Sequence, residues 1–176
     1  MKRLVLTGPE STGKTSLVRE LAIALNAPVV SEFARDYLDQ RPSYLPHDLH
    51  LIAQGQYASE QAVKTEHPTA KICVIDTDIQ VIRIWWRFRY GPLPAWLQEM
   101  SKVQHSQSRH YLICRPDLVW EEDPLRENKD DRDMLFDQYL EDADKRSLSF
   151  DVVQGHGKKR LSTALEFVRR ITQILE

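Results

Sequence analysis

Eight residues near the start of this 176-residue chain, Gly8-Pro9-Glu10-Ser11-Thr12-Gly13-Lys14-Thr15, restrict its fold more than any other feature of the sequence. They complete the pattern G-x-x-x-x-G-K-T, which works as a phosphate cradle when a strand runs into it and a helix leaves it. Leu4-Val5-Leu6-Thr7 reads as that strand, and Leu17, Leu21 and Leu25 recur at i+4 steps over a helix predicted from Lys14 to Asn26. Gly8 and Gly13 let the backbone curl until successive N–H groups share one concavity, to which the helix adds the positive end of its dipole. Lys14 then offers a point charge to β- and γ-phosphates, and the Thr15 hydroxyl a ligand to Mg²⁺. The candidate nucleotide-binding set here is Gly8, Glu10, Ser11, Thr12, Gly13, Lys14, Thr15 and Ser16.

Four further runs, Pro28–Ser31, Ile72–Ile75, Tyr111–Cys114 and Phe150–Val153, are short and apolar or β-rich, as strands covered on both faces should be. Helix-length stretches separate them. One is predicted to start at Asp48 as N-cap and to turn Leu51, Ile52, Ala58, Ala62 and Val63 inward. Another carries Ile79, Ile82 and Trp86 and stops at Gly91-Pro92, and the last carries Leu161, Ala164, Val168, Ile171 and Leu175. This alternation predicts an α/β fold, a three-layer α/β/α P-loop NTPase with a central five-stranded parallel sheet, in one domain over residues 1–176. Between strands four and five a helical, lid-like insertion is expected at about 117–146. Residues 121–144 hold eleven acids and three bases, so the formal net charge of -2 hides a basic body with an acidic flap.

That near-neutral total excludes a strongly basic binder of nucleic-acid polymers. No apolar stretch approaches the ~18 residues of a membrane span. Cys73 and Cys114 form no C-x-x-C pair and read as small buried hydrophobes in a reducing compartment, which points to the cytoplasm. His47 and His50 lack a third metal ligand.

The remaining candidates follow strand ends. Asp76 closes the third strand, the position of a Mg²⁺-organising acid, and Asp78 either presents a second carboxylate beside it or caps the next helix. Glu32, after the second strand, is a candidate base or anchor for an acceptor hydroxyl, with Arg35 nearby. Arg126 and Arg132 sit where a lid could neutralise a transferring phosphoryl group. Gly155 and Lys158 follow strand five, where loops border a nucleotide base. Trp85, Trp86, Phe88 and Tyr90 cannot all face a core, so one is expected to line an acceptor pocket. Asn128-Lys129-Asp130-Asp131 spells the guanine-reading N-K-x-D but follows no apolar strand, and no D-x-x-G follows the third strand. A GTPase is therefore not expected; a small-molecule kinase is.

Taken in order, Gly8-x-Glu10-Ser11-Thr12-Gly13-Lys14-Thr15, Glu32-x-x-Arg35, Gln54-x-Gln56, Asp76-Thr77-Asp78 and Trp120-x-x-Asp123-x-x-Arg126 resemble the ribosylnicotinamide kinase domain of NadR-type proteins, among P-loop kinases and AAA-like ATPases. The resemblance runs from Leu4 to the Gly155 loop and departs from the family pattern at Pro124. It implies ATP- and Mg²⁺-dependent phosphorylation of the 5′-hydroxyl of nicotinamide riboside to give nicotinamide mononucleotide. An adenylyltransferase domain precedes this one in bifunctional members and is not expected within this sequence. The catalytic set is then Lys14, Glu32, Asp76 and Arg126. A cationic riboside would be met by Glu32, Asp36 or Asp78 and by Phe33, Tyr57 or Trp85, with Arg35 and Gln56 close by. Arg35, Arg83 and Arg87 would instead suit a phosphorylated acceptor, as in a nucleoside-monophosphate kinase. A regulatory ATPase switch is the alternative of a different class.

Overall fold

The computed structural model describes residues 1–39, 41 and 43–173, with side chains to Ile171. The apolar runs become five strands, β1 (Lys2–Thr7), β2 (Val29–Val30), β3 (Ile72–Asp76), β4 (Arg109–Cys114) and β5 (Phe150–Val153). They form one sheet in the order β2-β3-β1-β4-β5, with every pairing parallel. Seven helices connect or follow them: α1 (Lys14–Leu25), α2 (Phe33–Leu38), α3 (Pro46–Glu66), α4 (Ile79–Tyr90), α5 (Ala95–His105), α6 (Arg132–Lys145) and α7 (Gly157–Gln173). None of the described helices is long and apolar enough to cross a membrane.

Alternation along each strand sorts the core into two layers. Leu4, Leu6, Val74, Leu112, Cys114 and Val153 pack against Leu17, Val18 and Leu21 of α1 and Ala164, Val168 and Ile171 of α7. Val5, Ile75, Tyr111 and Ile113 face the other way, onto α3, α4, α5 and α6. Both cysteines are buried and unbridged. Because β1 is central, with β3 on one side and β4 on the other, a crevice opens at its carboxyl end, where α/β sheets take ligands.

Several local expectations change. Asp48 is the third residue of α3 rather than its N-cap: Pro46 opens the helix, and the Asp48 carboxylate accepts the Leu45 N–H at 2.8 Å. Glu32 to Asp36, placed at the end of the second strand, instead open a helix: Glu32 is the N-cap of α2 and Phe33 its first residue. The predicted lid insertion also divides. Leu135, Phe136, Tyr139 and Ala143 of α6 belong to the core, so α6 packs as a layer helix, while residues 115–131 form neither helix nor strand. The acidic run does not keep α6 outside because Asp142 meets three guanidiniums, those of Arg83 at 2.7 Å, Arg87 at 2.8 Å and Arg146 at 3.3 Å. Burial raises the Asp142 carboxyl, but these charges hold it below the usual range. His50 stacks on Trp96 with ring centroids 4.4 Å apart. Leu175 lies outside the described residues.

Candidate active site

A cavity of about 590 Å³ occupies the crevice, within the size range of small-ligand pockets. The phosphate loop forms one end: Gly8, Glu10, Ser11, Thr12, Gly13, Lys14, Thr15 and Ser16 all line it. Gly8 has φ 130°, and a Cβ there would stand 2.7 Å from the Cys114 carbonyl oxygen and 3.1 Å from its nitrogen, both immovable strand backbone. Gly8→Ala should therefore destabilise the fold by about 2–3 kcal/mol through strain and clash, lowering Tm by roughly 5–10 °C; an unchanged Tm in calorimetry would contradict it. Gly13 has φ 70°, and a Cβ there would stand 2.8 Å from Leu118 Cδ1. The Lys14 ammonium donates to the carbonyls of Gly8 (3.0 Å) and Pro9 (2.7 Å).

Two carboxylates stand beside the loop. Asp76 ends β3 as expected, is 3% exposed, and leaves Oδ1 without a hydrogen-bond partner. Burial raises its carboxyl; the Thr15 hydroxyl bonded to it and the Lys14 charge oppose the rise. Thr15 and an acid with an unpartnered oxygen fit an ion that takes one or two protein ligands and completes its shell with phosphate and water, as Mg²⁺ does. Among the described residues no cluster of three or more His, Cys, Asp or Glu exists to hold a metal by protein groups alone. Glu32 is the N-cap of α2, yet its carboxylate makes no capping bond and lines the cavity. Burial, then the Asp76 charge, push its carboxyl up, while Lys14 and Arg35 pull the other way.

Asp78 takes the other course open to it. It caps α4 by accepting the Gln80 N–H at 2.9 Å, and its second oxygen accepts from Tyr111 (2.8 Å) and Arg109 (3.2 Å). At 1% exposure it is part of a buried network with Glu60 and is not brought to the cavity. The left-handed Thr77, at φ 63°, separates the two acids by breaking the extended alternation that would have paired them.

Opposite the loop, Tyr44 and Trp85 stack with centroids 6.2 Å apart, and Val81, Phe88 and Leu125 extend that wall. Trp85 and Phe88 are thus the aromatics that α4 turns to the cavity, two where one was expected; Trp86 packs edge-on against Trp96. Three arginines border this half, and each meets a carboxylate: Arg35 with Asp123 (3.0 Å), Arg41 with Asp48 (3.5 Å) and Arg89 with Glu127 (2.9 Å). Arg83 and Arg87 stand elsewhere, on Asp142. Phe33 leans over Gly55, where an added Cβ would lie 2.3 Å from its ring, and faces the core. Asp36 is exposed and Tyr57 half-buried, both off the cavity wall. Gln56 is buried away from it too: its oxygen accepts the Phe33 N–H (2.8 Å) and its nitrogen donates to the Thr77 carbonyl (3.1 Å).

The segment 115–131 is hydrogen-bonded to the loop. Ser11 Oγ accepts the Glu121 N–H at 2.8 Å, and Glu10 accepts the N–H groups of Glu127 (3.1 Å) and Asn128 (3.0 Å). Asn128 therefore faces the phosphate loop, as no base-reading residue would. Arg126 lines the cavity and donates to the Glu121 carbonyl at 2.5 Å, with Ser11 Oγ at 3.4 Å. Arg132 does not reach the cavity; it donates to the Leu118 carbonyl (3.0 Å) with its guanidinium 5.6 Å from the Trp120 ring. Beyond strand five, Gly157 and Arg160 line the cavity while Gly155 and the exposed Lys158 do not. Arg160, which the sequence reading missed, ties three loops together: it donates to the Thr12 carbonyl (2.8 Å), Asp117 (2.9 Å) and the Gly155 carbonyl (2.9 Å). The available signal was a basic residue in the first turn of a helix, a place its dipole disfavours.

Residues 3–160 match the family model described as an AAA domain. The chain belongs to that family. A comparison with curated proteins gave no match. Among solved structures, this AAA domain is similar to NadR protein in complex with NR, at 24% identity and TM-score 0.80 over 96% of this chain and 51% of that one. NadR in complex with NAD and AMP-PNP gives 22% and 0.74, over 96% and 49%. The domain thus spans about half the length of the NadR chains. Deoxyadenosine kinase from M. mycoides with bound dATP follows at 12% and 0.67, covering 95% of this chain and 99% of that one. Thymidylate kinase from Ehrlichia chaffeensis stands at 14% and 0.67, over 97% and 98%. The AAA domain accordingly has the α/β P-loop fold found in NadR and in nucleoside and nucleotide kinases.

Proposed function

We propose that this AAA domain is an ATP-dependent kinase that phosphorylates the 5′-hydroxyl of a riboside, nicotinamide riboside foremost. One observation carries the reading: the phosphate loop, Glu32 and the stacked Tyr44 and Trp85 rings all line one cavity. Donor and acceptor would meet there under one flap, which is how phosphoryl transfer is separated from hydrolysis. Lys14 and the loop N–H groups would seat the β- and γ-phosphates. Thr15 and Asp76 would hold Mg²⁺, which supplies charge neutralisation at the phosphates. Glu32 would orient the hydroxyl and take its proton, and Arg126 would stand over the transferring group.

The acceptor half favours a riboside over a nucleotide. A monophosphate would have to compete with Asp123, Asp48 and Glu127 for Arg35, Arg41 and Arg89, each of which already faces a carboxylate. A flat cationic ring finds an aromatic wall, with the Arg89-paired Glu127 on the same cavity lining. The chain is proposed to work as one catalytic unit whose flap is residues 115–131. The test is ADP release, with product mass, for nicotinamide riboside, common nucleosides and their monophosphates under Mg-ATP. Nicotinamide riboside should stimulate turnover by at least about tenfold over hydrolysis and gain one phosphate. Stimulation only by monophosphates would move the assignment to a nucleotide kinase. Slow hydrolysis that no acceptor stimulates would make the domain a switch.

A further inference from the structure

On the proposed reading, Arg126 contributes only while the flap is closed, so whatever holds residues 121–128 down controls how often the reactive arrangement forms. The structure shows what holds them. Glu10 Oε2 accepts two successive backbone N–H groups, those of Glu127 and Asn128, and Oε1 faces the Asn128 side-chain amide at 3.3 Å. Consecutive N–H groups converging on one oxygen form an anion nest, and here the anion belongs to the phosphate loop itself. On the other side of Arg126, Ser11 Oγ accepts the Glu121 N–H and lies 3.4 Å from the Val119 carbonyl. Arg126 is therefore suspended between two clasps that both start from the loop.

A carboxylate in a loop built to receive phosphate is electrostatically adverse unless its charge is engaged elsewhere. Glu10 is engaged, by charge-assisted bonds from the flap. We propose that Glu10 is a positioning residue for phosphoryl transfer: it reaches from the phosphate loop to the turn at 127–128 and sets the Arg126 guanidinium over the loop. The proposal rests on the kinase reading for its effect on turnover, but not for the contact itself.

The experiment compares Glu10→Ala, Glu10→Gln and Arg126→Ala, and the Glu10→Ala/Arg126→Ala pair, in the full chain. Turnover is read as kcat and KM for both substrates; closure is read as the rate of tryptic cleavage after Lys129, which is exposed in the flap, with a non-hydrolysable ATP analogue bound. Glu10→Ala should lower kcat about tenfold while each KM stays within about threefold, and Glu10→Gln, keeping one acceptor oxygen, should fall between it and the parent. Cleavage should quicken about five- to tenfold in Glu10→Ala. The double variant should be no slower than Arg126→Ala alone, since both changes remove one arrangement. Unchanged kcat, losses that multiply in the double variant, or unchanged cleavage would each overturn the proposal. A fall in kcat with a Tm drop beyond about 4 °C and no such non-additivity would reduce Glu10 to a structural role and also overturn it. Cleavage needs no acceptor, so faster cleavage in a protein that phosphorylates no riboside would uphold the Glu10 clasp and remove only the kinase reading.

Discussion

Replacing Lys14 with alanine should cut kcat by about 10²- to 10³-fold while leaving a folded protein. The size follows from removing one preorganised positive charge from a site proposed to stabilise developing phosphoryl charge. The fold should survive because the ammonium bonds only to the Gly8 and Pro9 carbonyls and enters neither packed layer. Two such bonds are worth about 1 kcal/mol each, or a Tm fall of at most roughly 8 °C in a chain of this length. Steady-state kinetics beside calorimetry checks both halves. Turnover within a factor of three of the parent would remove phosphate handling from this loop.

Glu32→Gln should act in opposite directions on activity and on stability. To take the hydroxyl proton, the role proposed for it, Glu32 must be ionised, and its loss should cost about 10²- to 10⁴-fold in kcat. Its carboxyl is raised by burial and then by the Asp76 charge. The parent's turnover should therefore climb with pH through a limb above the ordinary carboxylate range, and that limb should vanish from the residual rate of the variant. For stability the sign reverses. An acid that binds its proton more tightly when folded favours the native state below its unfolded pKa, and this advantage is lost as pH rises through the folded pKa. The neutral amide removes the cost of the buried charge, so the variant should melt higher at pH 7–8 by about 2–4 °C, equivalent to roughly 1 kcal/mol. The gain should shrink as pH falls toward 4. A variant less stable than the parent at pH 8 would show that the Glu32 charge is compensated in the fold.

How much of this was legible in the sequence depends on whether local pattern or distant contact decides each residue. The strands and the phosphate loop were readable because continuous apolar runs and a glycine-bounded loop encode their own environment. Asp76 was readable as the end of such a run. Asp78 was readable only as a choice between helix cap and second site carboxylate; the cap is what forms, and Arg109 and Tyr111 of β4, with the left-handed turn at Thr77, decide it. The acidic stretch around 121–144 looked solvated throughout. Its second half carries an apolar face at helical spacing and an aspartate answered by arginines from α4, a pairing no local composition discloses. Arg160 was missed because its partners come from the phosphate loop and the segment after β4.

Gln56 bears a larger consequence than its distance from the cavity suggests. Its amide joins the Phe33 N–H to the Thr77 carbonyl, the residues immediately after Glu32 and Asp76. Since β2 is only two residues long, the sheet alone gives little purchase on where Glu32 comes to rest. The amide serves as a gauge block between the two acids, setting the spacing between the proposed proton acceptor and the proposed metal-bearing carboxylate. α3, which lends no side chain to the cavity, would thereby carry the tolerance of the proposed reaction. Adapting this scaffold to acceptors of another length would mean regrinding that block before reshaping the aromatic wall.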